Sequence, residues 1–318
     1  MGEFSSPAAR EQAVVRAHQA FEAEEWSTAT EWFERLYNDQ QTGEFNRYLV
    51  ASLYHDEKYL VAEQFAAEQD AVYLATAETF QLRLDVALKN QQFIFAREFC
   101  ELPAAKAWRD AGLTQIVAAE EASRQALGET QRVLAKQFYH LGDVDFDEQR
   151  QRLTHARQLP LKEFMQGVQY LLVDPFLHPL MRATLLEELL RLHTTKTVQL
   201  HWLDDEDYTL DTSQLQPVGA SQAAQTMQNY LHEDLGQQDP MLAASVSQTI
   251  TLQLMMLYPF IDKIIRNPLT WVQVVAQQPV TDQTGAAELN EISEWQNRLN
   301  HFMRVLFGPI NHENHEKP

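Results

Sequence analysis

The nearest approach to a metal-binding pattern in this 318-residue chain is His312-Glu-Asn-His-Glu316. A zinc hydrolase helix carries two His four residues apart, so that both imidazoles reach one ion, with a Glu after the first. Here the spacing is three and the run follows Gly308-Pro309. It reads as a solvated tail, and no metal site is expected. The one cysteine, Cys100, has no partner for an internal disulfide and sits between Glu98 and Glu101. Neighbouring carboxylates raise a thiol's pKa, so Cys100 reads as a small packing residue rather than a nucleophile. The adjacent carboxylates Glu120-Glu121 and Glu187-Glu188 diverge by about 100° on a helix. Neither pair can share a proton, and both read as solvated helix faces. No catalytic residue and no cofactor is expected. The enzyme alternative is an α/α-type hydrolase drawing carboxylates from separate helices, which a deep pocket converging two carboxylates would support.

Glycine supplies a negative test. There are ten, and the closest two, Gly128 and Gly142, stand fourteen positions apart. Loops that cradle phosphate need clustered glycines, because a Cβ would hold the backbone N–H groups away from the anion. Phosphate-loop enzymes and dinucleotide-binding folds are therefore disfavoured.

The elements that would position any site come from an internal repeat. Phe21-Glu-Ala-Glu-Glu-Trp26-Ser-Thr-Ala29-Thr-Glu-Trp32 aligns with Tyr54-His-Asp-Glu-Lys-Tyr59-Leu-Val-Ala62-Glu-Gln-Phe65, and both align with Leu88-Lys-Asn-Gln-Gln-Phe93-Ile-Phe-Ala96-Arg-Glu-Phe99. The rule is a large apolar residue, a polar turn, an aromatic, Ala three later and an aromatic three after that. The Ala positions 29, 62 and 96 give periods of 33 and 34. This is a helix, a tight turn and a second helix, with Ala where two helices cross closely. Such hairpins bury only one face alone, so they stack. The aromatics are read as helix–helix core.

The pattern resembles tetratricopeptide (TPR) repeats in its 34-residue period and its aromatic-turn-aromatic-Ala spacing. The turn is one residue shorter in all three copies, and polar residues replace the customary Gly. The whole chain also resembles a bacterial group in which such repeats precede a larger helical region. The resemblance implies a solenoid whose first helices line a groove for a protein or peptide partner. Position by position it nominates Val14, His18, Arg47, Ala51, Gln81 and Asp85 as groove residues. These are not the Lys/Asn set of TPR domains that clamp a terminal carboxylate, so a mixed polar or weakly basic peptide is the expected partner.

After Pro103 the strict repeat decays while the helical period continues over Leu113–Leu127 and Glu129–Leu141, with Gly142 as a helix stop. Residues 113–157 read as a degenerate fourth repeat with Phe146 as its post-turn aromatic. Leu171-Leu-Val-Asp-Pro-Phe-Leu-His-Pro-Leu-Met-Arg182 reads as a helix, a Pro-stiffened turn and a helix opening near Pro179. It resembles a HEAT-type pair, where an Asp-Pro turn and an Arg on the second helix recur. Val198, Leu200 and Trp202 alternate on one face of a strand, which an acidic turn at 204–207 returns as Tyr208–Thr212. Helices then resume near Ala220–Leu235, Pro240–Leu257 capped by Asp239, Pro268–Gln277 and Ala286–Phe307. The expected architecture is mainly all-α: a TPR-like domain over 1–157, with repeats at 10–42, 43–76, 77–103 and 113–157, and a helical domain over 158–318 carrying a β-hairpin at 197–212.

The net charge is −20, with 45 acidic against 25 basic residues. It divides into −9 over 1–100, −1 over 101–200 and −10 over 201–318. Such ends repel a polyanion, so nucleic acid is not an expected partner. The neutral middle carries Arg124, Arg132, Lys136, Arg150, Arg152, Arg157 and Lys162, a basic junction where an acidic partner could dock unless these residues offset the chain's own carboxylates. The N-terminus lacks the apolar core of a signal peptide. The most apolar stretch, Ile250–Ile265, is interrupted by polar residues and Pro259. A cytoplasmic protein without a membrane span is expected. Two functions follow: an interaction scaffold binding a partner through the repeats, or a peptide-sensing regulator without a DNA-binding domain.

Overall fold

The computed structural model describes Phe4 and residues 6–280 and 284–307. It is mainly helical with one two-stranded antiparallel sheet. The chain divides into two compact units, one of residues 1–135 and 155–164, the other of 136–154 and 165–318. Residues 136–154, read from the sequence with the repeats, thus group with the second unit. The tail 308–318, including His312 and His315, lies outside the described residues.

The first unit opens with three helical hairpins: α1 (Pro7–Glu22) with α2 (Trp26–Asp39), α3 (Gly43–His55) with α4 (Tyr59–Ala67), and α5 (Ala77–Lys89) with α6 (Phe93–Glu101). A long helix α7 (Arg109–Tyr139) follows, kinked at Leu127 where φ is −127° and ψ 26°. The two amphipathic stretches either side of Leu127 are therefore one bent helix. From α1 to α6 each helix packs on the next, and α3 also touches α5. Ala29, Ala62 and Ala96 are all fully buried, because a larger side chain would push the paired helices apart. Phe93 and Phe99 are buried, whereas Trp26, Trp32, Tyr59 and Phe65 are half-buried.

The same backbone device closes all three hairpins. Glu24, Glu57 and Gln91 lie in the left-handed region at φ 56°, 59° and 57°. In each copy the next N–H reaches back five residues, Glu25 to Ala20, Lys58 to Leu53 and Gln92 to Ala87, all at 2.9 Å. Each left-handed residue's own N–H bonds three back, to Phe21, Tyr54 and Leu88, all at 3.1 Å. These are Schellman turns, whose left-handed position normally takes Gly. The first helices are capped by Ser6, Thr42 and Thr76, while α2, α4 and α6 carry no side-chain cap and are entered directly from these turns. A non-Gly residue in this conformation costs roughly 1–2 kcal/mol, and Gly loses about 0.5–1 kcal/mol more chain entropy on folding. Each of Glu24→Gly, Glu57→Gly and Gln91→Gly is therefore expected to stabilise by about 0.5 kcal/mol. Urea titration of the three singles and the triple would show it, and destabilisation by the triple would contradict it.

In the second unit, α8 (Phe146–Ala156) and α9 (Leu161–Leu172) lead to α10 (Pro179–Arg191). Each straddles the boundary between units at one end. Pro179 occupies the first position of α10, and His178 caps it by accepting the Leu180 N–H at 3.2 Å. Arg182, almost wholly buried, donates to the Asp174 carbonyl at 2.8 Å across the Asp-Pro turn. Gly142 is not a left-handed helix stop. A Cβ there would meet the Asp174 carboxylate, so a larger residue would need that side chain to turn aside. Strands β1 (Thr197–His201) and β2 (Asp207–Asp211) pair with Thr197 opposite Asp211 and Leu200 opposite Tyr208. Val198, Leu200 and Trp202 are buried, as the alternation requires.

The remainder is α11 (Gln222–Asn229), a π-helical turn Tyr230–Leu235, the short α12 (Gly236–Gln238), α13 (Pro240–Leu257), α14 (Ile261–Ile264), α15 (Pro268–Val275) and α16 (Ala286–Phe307). Asp239 caps α13 through the Leu242 N–H at 3.0 Å. Among the described residues, α13 is the one helix long and apolar enough to cross a membrane, and 39% of it is buried. Ile292 and Leu299 of α16 are buried, while Leu289, Trp295, Phe302, Met303 and Leu306 of the same stripe are half-buried.

Candidate functional site

The nominated residues of the first helices fall into two kinds. His18 on α1 is packed edge-on between rings, 5.4 Å from Phe33 and 4.6 Å from Tyr48. Itself half-buried, it joins α1 to α2 and α3, and Val14 and Ala51 are also half-buried. Arg47, Gln81 and Asp85 are polar and half-buried. Gln81 exchanges hydrogen bonds with Gln115 of α7, Nε2 to Oε1 at 2.7 Å and the return at 3.0 Å. It also donates to Asp85 Oδ1 at 2.8 Å. Arg47, Gln81 and Gln115 stand at intervals of 34 residues, so α3, α5 and the start of α7 present a polar row one repeat apart, while the corresponding position of α1 is the buried Ala13. Gln115 was not nominated from the sequence, although extending the period by one more copy points directly to it.

The row's electrostatics are uneven. Arg47 makes no hydrogen bond or ion pair among the described residues, and its Nε is shielded from solvent without an acceptor. Burial pushes the Asp85 carboxyl above its ordinary pKa, partly offset by Gln81 and by Lys89 one turn on. Burial likewise raises the nearby Tyr54 hydroxyl, and Asp85 adds to it. A carboxylate whose folded pKa lies above its unfolded value gives stability that is fully present below the unfolded pKa and is lost as pH rises through the folded one. Asp85→Asn is accordingly expected to raise the melting temperature at pH 7, with the gap closing as pH falls through carboxylate titration. Equal melting temperatures at pH 7 would remove the effect.

The basic junction is largely neutralised by the chain itself. Arg124 holds Glu163 through Nε and Nη2 at 2.9 and 3.0 Å, and Arg157 holds Glu98 at 2.5 Å, within the first unit. Arg132 pairs with Glu129 at 3.3 Å. In the second unit Arg152 pairs with Glu148 at 2.8 Å and Arg150 meets Asp147 at 3.8 Å. Lys136 and Lys162 are exposed.

Two sequence readings need correction. Glu120 and Glu188 are not solvated, being 3% and 2% exposed. Glu120 accepts both arms of Arg97 at 2.9 Å and the Leu161 N–H at 3.0 Å, and Glu188 pairs with Arg191 at 3.1 Å. The divergence that stops adjacent carboxylates from cooperating turns one of each pair inward. No group of three or more His, Cys, Asp or Glu capable of holding a metal occurs among the described residues.

Cys100 is fully buried, and burial, reinforced by Glu101, pushes its thiol up to about 12. The native thiol is expected to resist aromatic disulfide reagents at pH 8 and to react in denaturant. Rapid native labelling would contradict its burial.

Comparison with protein-family models, with curated proteins and with solved structures gives no match.

Proposed function

We propose that the first unit is a TPR-type repeat that holds a segment of a protein partner along its first helices, and that the chain serves as an interaction scaffold. The observation that carries this reading is the polar row Arg47, Gln81, Gln115 at 34-residue intervals, flanked by the half-buried Asp85. Core positions of a solenoid have no need of such groups. An amide would accept the Gln81 bond as well as the Asp85 carboxylate does, without the cost of burying charge. Retaining a group that lowers stability is what a binding residue does.

The row also describes the partner segment. Arg47 is a cation without an anion in a unit of net negative charge, so it suits a carboxylate. Asp85 suits a hydrogen-bond donor or an ammonium. A segment with an acidic side chain followed by a basic or amide one meets both. The lone buried thiol suits a reducing compartment such as the cytoplasm.

The test is affinity capture with the full chain, followed by titration of the recovered partner. Arg47→Glu, at a side chain without an intramolecular hydrogen bond or ion pair among the described residues, is expected to weaken that partner at least tenfold while leaving the melting temperature near wild type. Unchanged affinity would overturn the reading.

A further inference from the structure

The second unit contains a cavity of about 490 Å³ between α11, the π-helical turn and α13. Its floor is Met227, Leu231, Ile250 and Leu254, all buried side chains. These come from two helices at helical spacing: Ala224, Met227 and Leu231 on one wall, and Ala243, Ile250 and Leu254 on the other. The outer wall is the short segment Val218–Gly219, and nothing would obstruct a Cβ at Gly219. The cavity thus opens along an exposed strip of α13, the one described helix long and apolar enough to cross a membrane, of which 39% is buried.

Around that floor stand four hydrogen-bonding side chains. Gln228 and His232 lie one turn apart on one wall, and Ser247 and Thr251 one turn apart on the other. The Thr251 hydroxyl donates to the Ser247 carbonyl at 2.8 Å and keeps its acceptor lone pairs. Gln228, His232 and Ser247 make no side-chain hydrogen bond among the described residues. His232 of the rim belongs to the π turn. The turn adds one residue to the ring between Leu231 and Gly236, whose N–H bonds the Leu231 carbonyl. A Cβ at Gly236 would lie 2.8 Å from that oxygen, so the turn depends on glycine there. Single π turns inside helices recur at functional sites.

An apolar floor, a few convergent polar groups and a volume within the range of roughly 300–1,000 Å³ are the attributes of a small-molecule site. The charges around it narrow the ligand. The lining contains no Lys, Arg, Asp or Glu, while Glu233, Asp234 and Asp239 follow its rim in sequence and are exposed. A negatively charged ligand would be repelled, and a second copy would bring the same carboxylates. We propose that this cavity binds a small amphiphile without negative charge, its hydrocarbon or aromatic body on Met227, Leu231, Ile250 and Leu254 and its polar end on Ser247, Thr251 and Gln228. The site is independent of the peptide row of the first unit.

The full chain would be titrated with Prodan, a neutral amphiphilic naphthyl ketone whose emission shifts to the blue in apolar surroundings. One saturable site per chain is expected, displaced by octan-1-ol and by octyltrimethylammonium, with octanoate at least tenfold weaker. Ala244→Trp fills the cavity from an exposed position on α13 and should lower Prodan affinity at least tenfold. Thr251→Phe, on the same wall, serves if that variant does not fold. Ser247→Ala with Gln228→Leu should weaken octan-1-ol three- to tenfold. Non-saturable binding, octanoate equal to octanol, undiminished binding by both cavity-filling variants, or a dimer in sedimentation that Ala244→Trp abolishes would each overturn the proposal. Arg47→Glu should leave Prodan binding unchanged, so failure here and failure of the peptide reading are separately visible.

Discussion

Arg83→Met is expected to lower the stability of the first unit by about 3–5 kcal/mol, the range for removing one partner of a buried ion pair. Arg83 is 0% exposed. From α5 it donates Nη1 and Nη2 to Glu63 of α4 at 2.6 and 2.9 Å, and Nε to Asp70 in the 3₁₀ turn between them at 2.7 Å. Its guanidinium also lies 4.1 Å from the Phe95 ring centroid of α6. One side chain therefore joins two hairpins of the stack and the turn between them. The Met side chain fills the volume of the stem, so a large loss would report the stranded carboxylates rather than a cavity. Arg83→Met combined with Glu63→Leu should recover much of the loss, since replacing both partners by apolar groups can be nearly neutral. Arg83→Lys keeps the charge but not the two-pronged geometry and should fall between. Urea titrations followed by circular dichroism measure all three, and a loss below about 1 kcal/mol for the single variant would show that solvent at the partly exposed Asp70 screens the pair.

That cluster was invisible in the sequence, and the reason is physical. Ala29, Ala62 and Ala96 were legible because a helix crossing repeats its steric demand once per hairpin, so one residue type recurs at one spacing. The polar turns were legible too, but not that Glu24, Glu57 and Gln91 would all be left-handed, since the missing glycines pointed the other way. Tertiary packing imposes that conformation and the three turns accept its cost. Arg83 meets Glu63 and Asp70 only after α4 and α5 have packed, and nothing in their spacing announces it. Glu120 and Glu188 were misread for a related cause: a carboxylate next to another looks solvated until the helix shows which of the two faces inward. The cavity of the second unit required three elements and a π turn that no hydrophobic period encodes. The row Arg47, Gln81, Gln115 lies between these cases. Its period was readable, while the absence of an anion at Arg47 and the burial of Asp85 were not.

Gln253→Leu is expected to cost the second unit about 3 kcal/mol through unmade hydrogen bonds. Gln253 is buried on α13 and stands at the centre of a closed network. Its Oε1 accepts from Trp271 Nε1 at 2.8 Å and from Gln296 Nε2 at 3.2 Å, and its Nε2 donates to Gln296 Oε1 at 2.6 Å. These bonds tie α13 to α15 and α16, and Trp271 and Gln296 are themselves buried. Leucine matches the volume but strands an indole N–H and an amide, each without access to water. Gln253→Glu separates hydrogen bonding from packing. When protonated, the introduced carboxyl can accept from Trp271 and donate to Gln296, which approximates the native network. When ionised, it is a buried charge with acceptors only. Its folded pKa is then raised above the unfolded value, so its contribution is fully present below the unfolded pKa and is lost as pH rises through the folded one. Gln253→Glu should therefore be closest to wild type in mild acid and fall away toward neutrality, while the deficit of Gln253→Leu stays constant over the same range. Parallel deficits for the two variants across pH would mean that the network is solvated and that α13, α15 and α16 are held by apolar packing alone.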